Sequence, residues 1–365
     1  MANTEKLIEL KDLNEAQPEH TTGFKIVNAD DIEGTEAEIA KNHPSKYYEF
    51  ADKEVGFPIL RKFFLWMKEA ELTLKEAAGI KFAILGACIF GLIGGLKVEY
   101  FYQISSMNYF YLQFLVALGI FFLCCRQFDV LPFLEDEHLQ NKLKISAGCN
   151  LAGIIIYIAS WNYWPRQYSH FLLCAIPFIE NLREAQKTSY KTRELVLLGI
   201  NYVGFLILLT IPDREQSITG IGFLLSLAGT ALFWYGFQNL KSLGPSNPLS
   251  IGVIQTLFMS VFMSGFFGIV KAVPPTIIEA VVIALYGIPT SAGIILMIRS
   301  AQITKPSHCL LTASISLAII SWVRSINMEG LEFQGVIGVV MAVGCACYIL
   351  WEQQDKTTII TYMRS

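Results

Sequence analysis

Apolar residues in this chain are gathered into long runs rather than spread at amphipathic spacing. From Gly79 onward ten such runs follow one another: 80–96, 106–125, 143–161, 167–181, 192–211, 219–239, 249–270, 276–297, 306–323 and 333–351. Each but the fourth approaches the ~20 residues that an α-helix needs to cross the hydrocarbon of a bilayer. The fourth is shorter and contains Pro177. Ahead of the runs, residues 58–78 interleave Arg61, Lys62 and Lys68 with Phe63, Phe64, Leu65, Trp66 and Met67. That spacing predicts an amphipathic helix in the membrane interface. A helix of the tail packed on the body would show the same spacing.

Composition sharpens the division. The chain is 53% hydrophobic and 16% charged, against ~25% charged for soluble domains. Residues 1–77 hold 26 of the 59 charged side chains. The N-terminal tail, 1–57, is acidic and poor in large apolar residues, so it is expected to be flexible unless a partner orders it. Its acidity and lack of an apolar core do not read as a signal or transit peptide. Residues 353–365 form a short C-terminal tail. Ten spans leave only short connections, which excludes a sizeable soluble catalytic domain. The expected fold is therefore an all-α membrane protein of ten transmembrane helices behind a polar N-terminal tail.

Basic residues test the count independently, because every missed span would swap the sides of all later connections. With the N-terminus inside, 17 Lys and Arg from Arg61 onward fall on the inner side and five in outer connections (Lys97, Arg166, Arg214, Lys271 and Arg324). Both termini are thus expected on the cytoplasmic side. A plasma membrane or endomembrane is favoured over the mitochondrial inner membrane.

Ten spans divide near residue 217 into two units of five, and an odd number makes the units enter the membrane from opposite sides. The arrangement is an inverted repeat, 79–216 and 217–352, with a substrate site expected between the units near the midplane. Several residues carry a resemblance here. The sixth run has Gly220, Gly222, Ser226, Gly229, Thr230, Trp234, Tyr235 and Gly236, without charge until Lys241. The eighth runs from Ala284 through Tyr286, Gly287, Pro289 and Thr290 to Gly293, then to Arg299 and Gln302. Glu329 precedes Gly338, and in the first half Pro177 and Gly199 stand at related places. This pattern resembles the drug/metabolite transporter superfamily, in its ten-helix EamA type. The sequence departs from it at Tyr190, where that family has Glu, and at Ser316, where it has Pro. The resemblance implies that the first, third, fourth, sixth, eighth and ninth helices surround a central cavity.

Polar residues inside runs are costly in lipid and tend to face the bundle interior. Ser146, Asn150, Gly153, Tyr157 and Trp161 share one face of the third run, and Ser226, Thr230, Trp234 and Gln238 one face of the sixth. In the eighth, Glu279, Tyr286 and Thr290 share a face, with Glu279 the acidic residue set deepest in any run. Candidate pathway residues are thus Asn150, Tyr157, Trp161, Thr230, Trp234, Glu279, Tyr286 and Thr290. Each has a second reading: hydrogen bonding between helices that only holds the bundle together, and for Glu279 an interfacial carboxylate in place of a proton-coupling or cation-recognising one. Gly199 and Gly204, with Gly335, Gly338 and Gly344, offer close-packing faces for a homodimer.

Nothing points to other chemistry. The eight cysteines sit in or beside apolar runs without metal spacing. Nucleotide, hydrolase and zinc-protease motifs are lacking, so neither an enzyme nor a cofactor is expected. No basic excess calls for nucleic acid. The expected function is secondary active transport of a small polar metabolite by alternating access. Its rival is an accessory or scaffold subunit of a larger membrane assembly, contacted through the N-terminal tail.

Overall fold

In the computed structural model the described residues are 58–74, 76–101, 103–104, 106–128, 137–161, 192–209, 219–243, 248–267 and 275–304, with shorter pieces between 163 and 179 and between 315 and 348. Both tails, 1–57 and 353–365, lie outside them, as do most of the fourth and ninth runs. Among the described residues the fold is all-helical. The helices are α1 (Pro58–Leu74), α2 (Glu76–Tyr100), α3 (Ser106–Phe128), α4 (Glu137–Ser160), α5 (Thr192–Leu209), α6 (Gly220–Ser242), α7 (Pro248–Phe267), α8 (Ile277–Leu285) and α9 (Gly287–Ile303). Stretches long and apolar enough to cross a membrane are Ala78–Lys97, Gln140–Ser160, Gly220–Ser242 and Ile277–Ile303. The chain is membrane-embedded: its outward faces carry residues such as Leu224, Val261 and Ile278, which suit lipid and not water.

The eighth run lies in one membrane-length helical stretch, Ile277–Ile303, whose hydrogen-bond ladder lapses at Tyr286 while the backbone there stays right-handed helical. Pro289 has no N–H to offer the Leu285 carbonyl, and α8 gives way to α9 at Tyr286. Tyr286 N–H donates to the Ile283 carbonyl at 3.1 Å, and the ladder resumes when Thr290 N–H reaches the Tyr286 carbonyl at 3.1 Å.

Packing follows glycines. A Cβ on Gly79 would strike Thr304, one on Gly86 would strike Met297, and one on Gly293 would meet Phe90. Residue numbers rise along α2 as they fall along α9, so these helices are antiparallel. The same holds for α4 and α6: Ser146 pairs with Gly236, Gly153 with Gly229 and Ser160 with Ser226. Phe121, in the later half of α3, covers Gly252 near the start of α7. From these contacts α2, α4 and α7 start at the end of the bundle where α1 packs, whereas α3, α6 and α9 finish there. Element starts recur at an interval of 140 to 144 residues: Glu76 and Gly220 are 144 apart, Ser106 and Pro248 are 142, and Glu137 and Ile277 are 140. Members of each such pair run in opposite directions.

Helix α1 turns Phe64, Met67, Ala70, Glu71 and Leu74 inward. Trp66 stands edge-on to Phe82 of α2 at 5.7 Å and carries the Lys81 ammonium 5.4 Å above its ring. Ile59, at the helix start, and Leu72 remain exposed. Of the glycines expected to pair two copies, Gly199 and Gly344 face open space, whereas Gly204, Gly335 and Gly338 are buried within the chain.

Candidate functional site

The polar faces of α4 and α6 meet each other. Gly153 and Gly229 bring the two backbones into contact, a Cβ on either standing 3.1 Å from the other's carbonyl oxygen. Around that contact Ser146 Oγ donates to the Gly236 carbonyl at 2.9 Å, and the Asn150 amide oxygen fills the space that a side chain on Gly236 would take. One turn beyond, Ser160, Ser169 and Ser226 close a triangle of buried hydroxyls at 2.8 to 3.2 Å. Thr230 Oγ1 is spent on the Ser226 carbonyl of its own helix at 2.8 Å. Tyr157 packs edge-on to Trp161 at 5.5 Å and to Phe233 at 6.0 Å. Trp234 is half-buried and Gln238 exposed. Of the predicted pathway, then, Asn150, Tyr157 and Thr230 lie in or beside a helix seam.

A second group gathers where α2, α3, α8 and α9 converge. Tyr286 and Thr290 face α3, where Gln113 is fully buried. Thr290 Oγ1 donates to the Tyr286 carbonyl at 2.7 Å and lies 3.3 Å from Gln113 Oε1. A Cβ on Gly287 would stand 2.5 Å from Val116, so α9 rides directly on α3 at this level. Tyr109 donates to the Ile93 carbonyl at 2.9 Å. Lys97 is buried beside it, its ammonium donating to the Phe101 carbonyl at 2.8 Å and lying 5.9 Å from the Tyr109 ring. Phe101 lies tilted against Tyr109 at 5.8 Å and edge-on to Tyr286 at 6.3 Å. The lining is aromatic, amide and hydroxyl.

Two charges depart from expectation. Glu279 is not the deeply placed acid: its Oε2 accepts from Thr276 N–H and Thr276 Oγ1, both at 2.8 Å, at an exposed site. With the return bond from Glu279 N–H to Thr276 Oγ1 this is a complete capping box at the start of α8. The buried acid is Glu71 on α1, 4% exposed and held by Arg299, itself 3% exposed. Arg299 Nη1 also reaches Gln302 Oε1 at 3.1 Å. Its guanidinium is therefore committed, and no anion would find it vacant.

Buried side-chain polar atoms without a hydrogen-bond partner among the described residues include Asn150 Oδ1, Gln255 Nε2 and Ser260 Oγ, whereas the Gln113 amide lies against the Tyr109 hydroxyl. Gln113, Gln255 and Glu71 were not singled out by helical spacing. The two glutamines stand at the same place in α3 and α7, the eighth residue of each, and the repeat interval is the signal that finds them. No group of His, Cys, Asp and Glu able to hold a metal occurs among the described residues.

No family model matches this chain, and no curated protein matches it. Twenty solved chains do match in structure. One, described only as "Crystal structure of protein", is similar to 72% of this chain and is itself covered over 94% of its length, with a TM-score of 0.59 and 11% identity. At that identity the likeness is one of fold alone, and it takes in most of this chain and nearly all of the solved one.

Proposed function

We propose that this chain is a secondary transporter of a small polar solute, built from two inverted five-helix repeats of the drug/metabolite transporter type and working by alternating access. The observation that carries the reading is the interval of 140 to 144 residues between helices that run in opposite directions. Packing obeys the same interval. The α4–α6 contact at Gly153 and Gly229 has its counterpart in the α2–α9 contact at Gly86 and Gly293, and α3 against α7 is its own counterpart. Two such units related by an axis in the membrane plane place a solute site between them, near the middle of the bundle.

Lining chemistry favours a cargo without phosphate, because the described buried cations, Lys97 and Arg299, are engaged by the protein itself. The decisive experiment is uptake into proteoliposomes across a panel of polar metabolites, with and without a pH gradient. Accumulation of one chemical class supports transport; movement of nothing under any gradient removes it.

A second reading is the scaffold subunit, and one observation favours it: the α4–α6 seam absorbs Asn150 and Thr230, residues that a pathway would need. Co-purification of the intact chain with a stoichiometric membrane partner, together with inactive proteoliposomes, would select it.

A further inference from the structure

We propose that α1 and the start of α2 form a docking surface for an anionic lipid of the leaflet on their side of the membrane, held through its headgroup phosphate by Lys62 and Lys81. The inference rests on the membrane-embedded fold and not on the transport reading.

The surface runs along one flank of α1. Ile59, Phe63 and Trp66 stand at offsets 0, 4 and 7, so they line up along the helix. Phe63 and Trp66 stack with ring centroids 6.1 Å apart, and Ile59 is 82% exposed. Trp66 in turn stands edge-on to Phe82 of α2. Tryptophan favours the headgroup level of a bilayer, and the apolar strip beside it suits acyl chains rather than water.

Two cations share that indole. Lys81 holds its ammonium 5.4 Å from the Trp66 ring centre. Lys62, exposed, lies one turn before Trp66 on the same flank. Lys81 belongs to the apolar stretch Ala78–Lys97, where a charge ordinarily pairs with another group. A ring face attracts a cation but does not neutralise it. Among the described residues neither lysine forms an ion pair: Glu71 is committed to Arg299, and Glu69, on the next turn, meets neither. Arg61 and Lys68, on the other flank of α1, are engaged within the chain. Lys62 and Lys81 therefore call for an anion from outside it.

Charge and hydrocarbon together identify the occupant. A soluble phosphate would use the lysines and leave Ile59 and Phe63 facing water. A zwitterionic lipid would cover the apolar strip but bring its own cation to the lysines. An anionic lipid satisfies both parts. Each lysine near an anionic leaflet is expected to contribute about a fivefold gain in affinity.

The test uses the full-length purified chain in neutral detergent, titrated with phosphatidylglycerol, with phosphatidylcholine of the same acyl chains, or with glycerol 3-phosphate, and reads the melting temperature. Phosphatidylglycerol is expected to raise it at a lower mole fraction than phosphatidylcholine, with the difference shrinking at high salt. Glycerol 3-phosphate should give no shift. Lys62→Gln and Lys81→Gln should each lose about fivefold in apparent affinity for phosphatidylglycerol and leave the phosphatidylcholine response unchanged, whereas Lys81→Arg keeps the preference. Lys241→Gln removes an exposed charge at the same end of the bundle and should change nothing. If Lys81→Gln fails to fold, the exposed Lys62→Gln decides alone. Equal shifts from the two lipids overturn the proposal, as does a shift from glycerol 3-phosphate as large as that from phosphatidylglycerol, which would mark a site for soluble anions. A loss in Lys241→Gln as great as in Lys62→Gln also overturns it, since diffuse surface charge would then account for the preference.

Discussion

Arg299 closes on Glu71 through both carboxylate oxygens, Nε to Oε1 and Nη2 to Oε2, each at 2.7 Å and across 228 positions of sequence. The pair ties α1, which precedes the first apolar run, to the later part of α9. Both side chains are about 3% exposed. Geometry of this kind, two parallel bonds from a planar fork, is the strongest form of the interaction.

Burial decides what its loss would do. Removing one member strands the other charge, which costs about 3–5 kcal/mol, whereas replacing both with apolar residues can be neutral. Glu71→Ala is therefore expected to lower the melting temperature in detergent sharply. Glu71→Leu combined with Arg299→Leu should recover most of that loss. If the double variant melts no higher than the single, the ion pair is not what holds α1.

Glycine contacts set a second contrast. A Cβ on Gly229 would lie 3.0 Å from the Tyr157 backbone nitrogen and 3.1 Å from the Gly153 carbonyl oxygen, whereas one on Gly199 meets nothing within 4 Å. Gly229→Ala should destabilise by about 1–3 kcal/mol, as overpacking does. Gly199→Ala should be neutral or stabilising, since alanine favours helix over glycine. Thermal unfolding of both variants in one detergent checks the pair, and equal effects would contradict the seam.

At the start of α8, Glu279 and Thr276 satisfy each other's backbone N–H. Glutamine retains the acceptor that a capping box needs, so Glu279→Gln is expected to leave stability, and any pH dependence of uptake, unchanged. Thr276→Ala should cost about 1 kcal/mol, the usual effect of losing a cap. A pH profile altered by Glu279→Gln would return this carboxylate to the transport mechanism.

Much of this architecture was legible because hydrophobic runs need no tertiary knowledge: the runs at 106–125, 192–211 and 249–270 match α3, α5 and α7 within a few residues. Helical spacing also grouped Ser146, Asn150, Gly153 and Tyr157 correctly on one face. Spacing states which residues share a face and is silent on what the face meets, so a helix seam reads like a pathway. Glu279 was misplaced although Thr276-Ile-Ile-Glu279 is a readable capping signature. Glu71 and Arg299 left no local trace, because an ion pair across most of the chain depends on the fold.

The interruption at Tyr286 gives the last prediction. Pro289 withholds the N–H that the Leu285 carbonyl would accept, and the ladder lapses one turn earlier. Helix α9 cannot move freely to compensate: Gly287 rests against Val116, and Arg299 is fixed by Glu71. In Pro289→Ala the bond from residue 289 N–H to the Leu285 carbonyl is restored, which should stiffen the stretch around Tyr286 and stabilise the helix by up to about 3 kcal/mol. Tyr286, whose ring stands edge-on to Phe101 at 6.3 Å, would then sit in an unbroken ladder. A higher melting temperature with uptake reduced roughly tenfold is the expected result, since conformational steps set many turnover rates. A variant that melts higher and transports at the normal rate would exclude the interruption from the transport cycle.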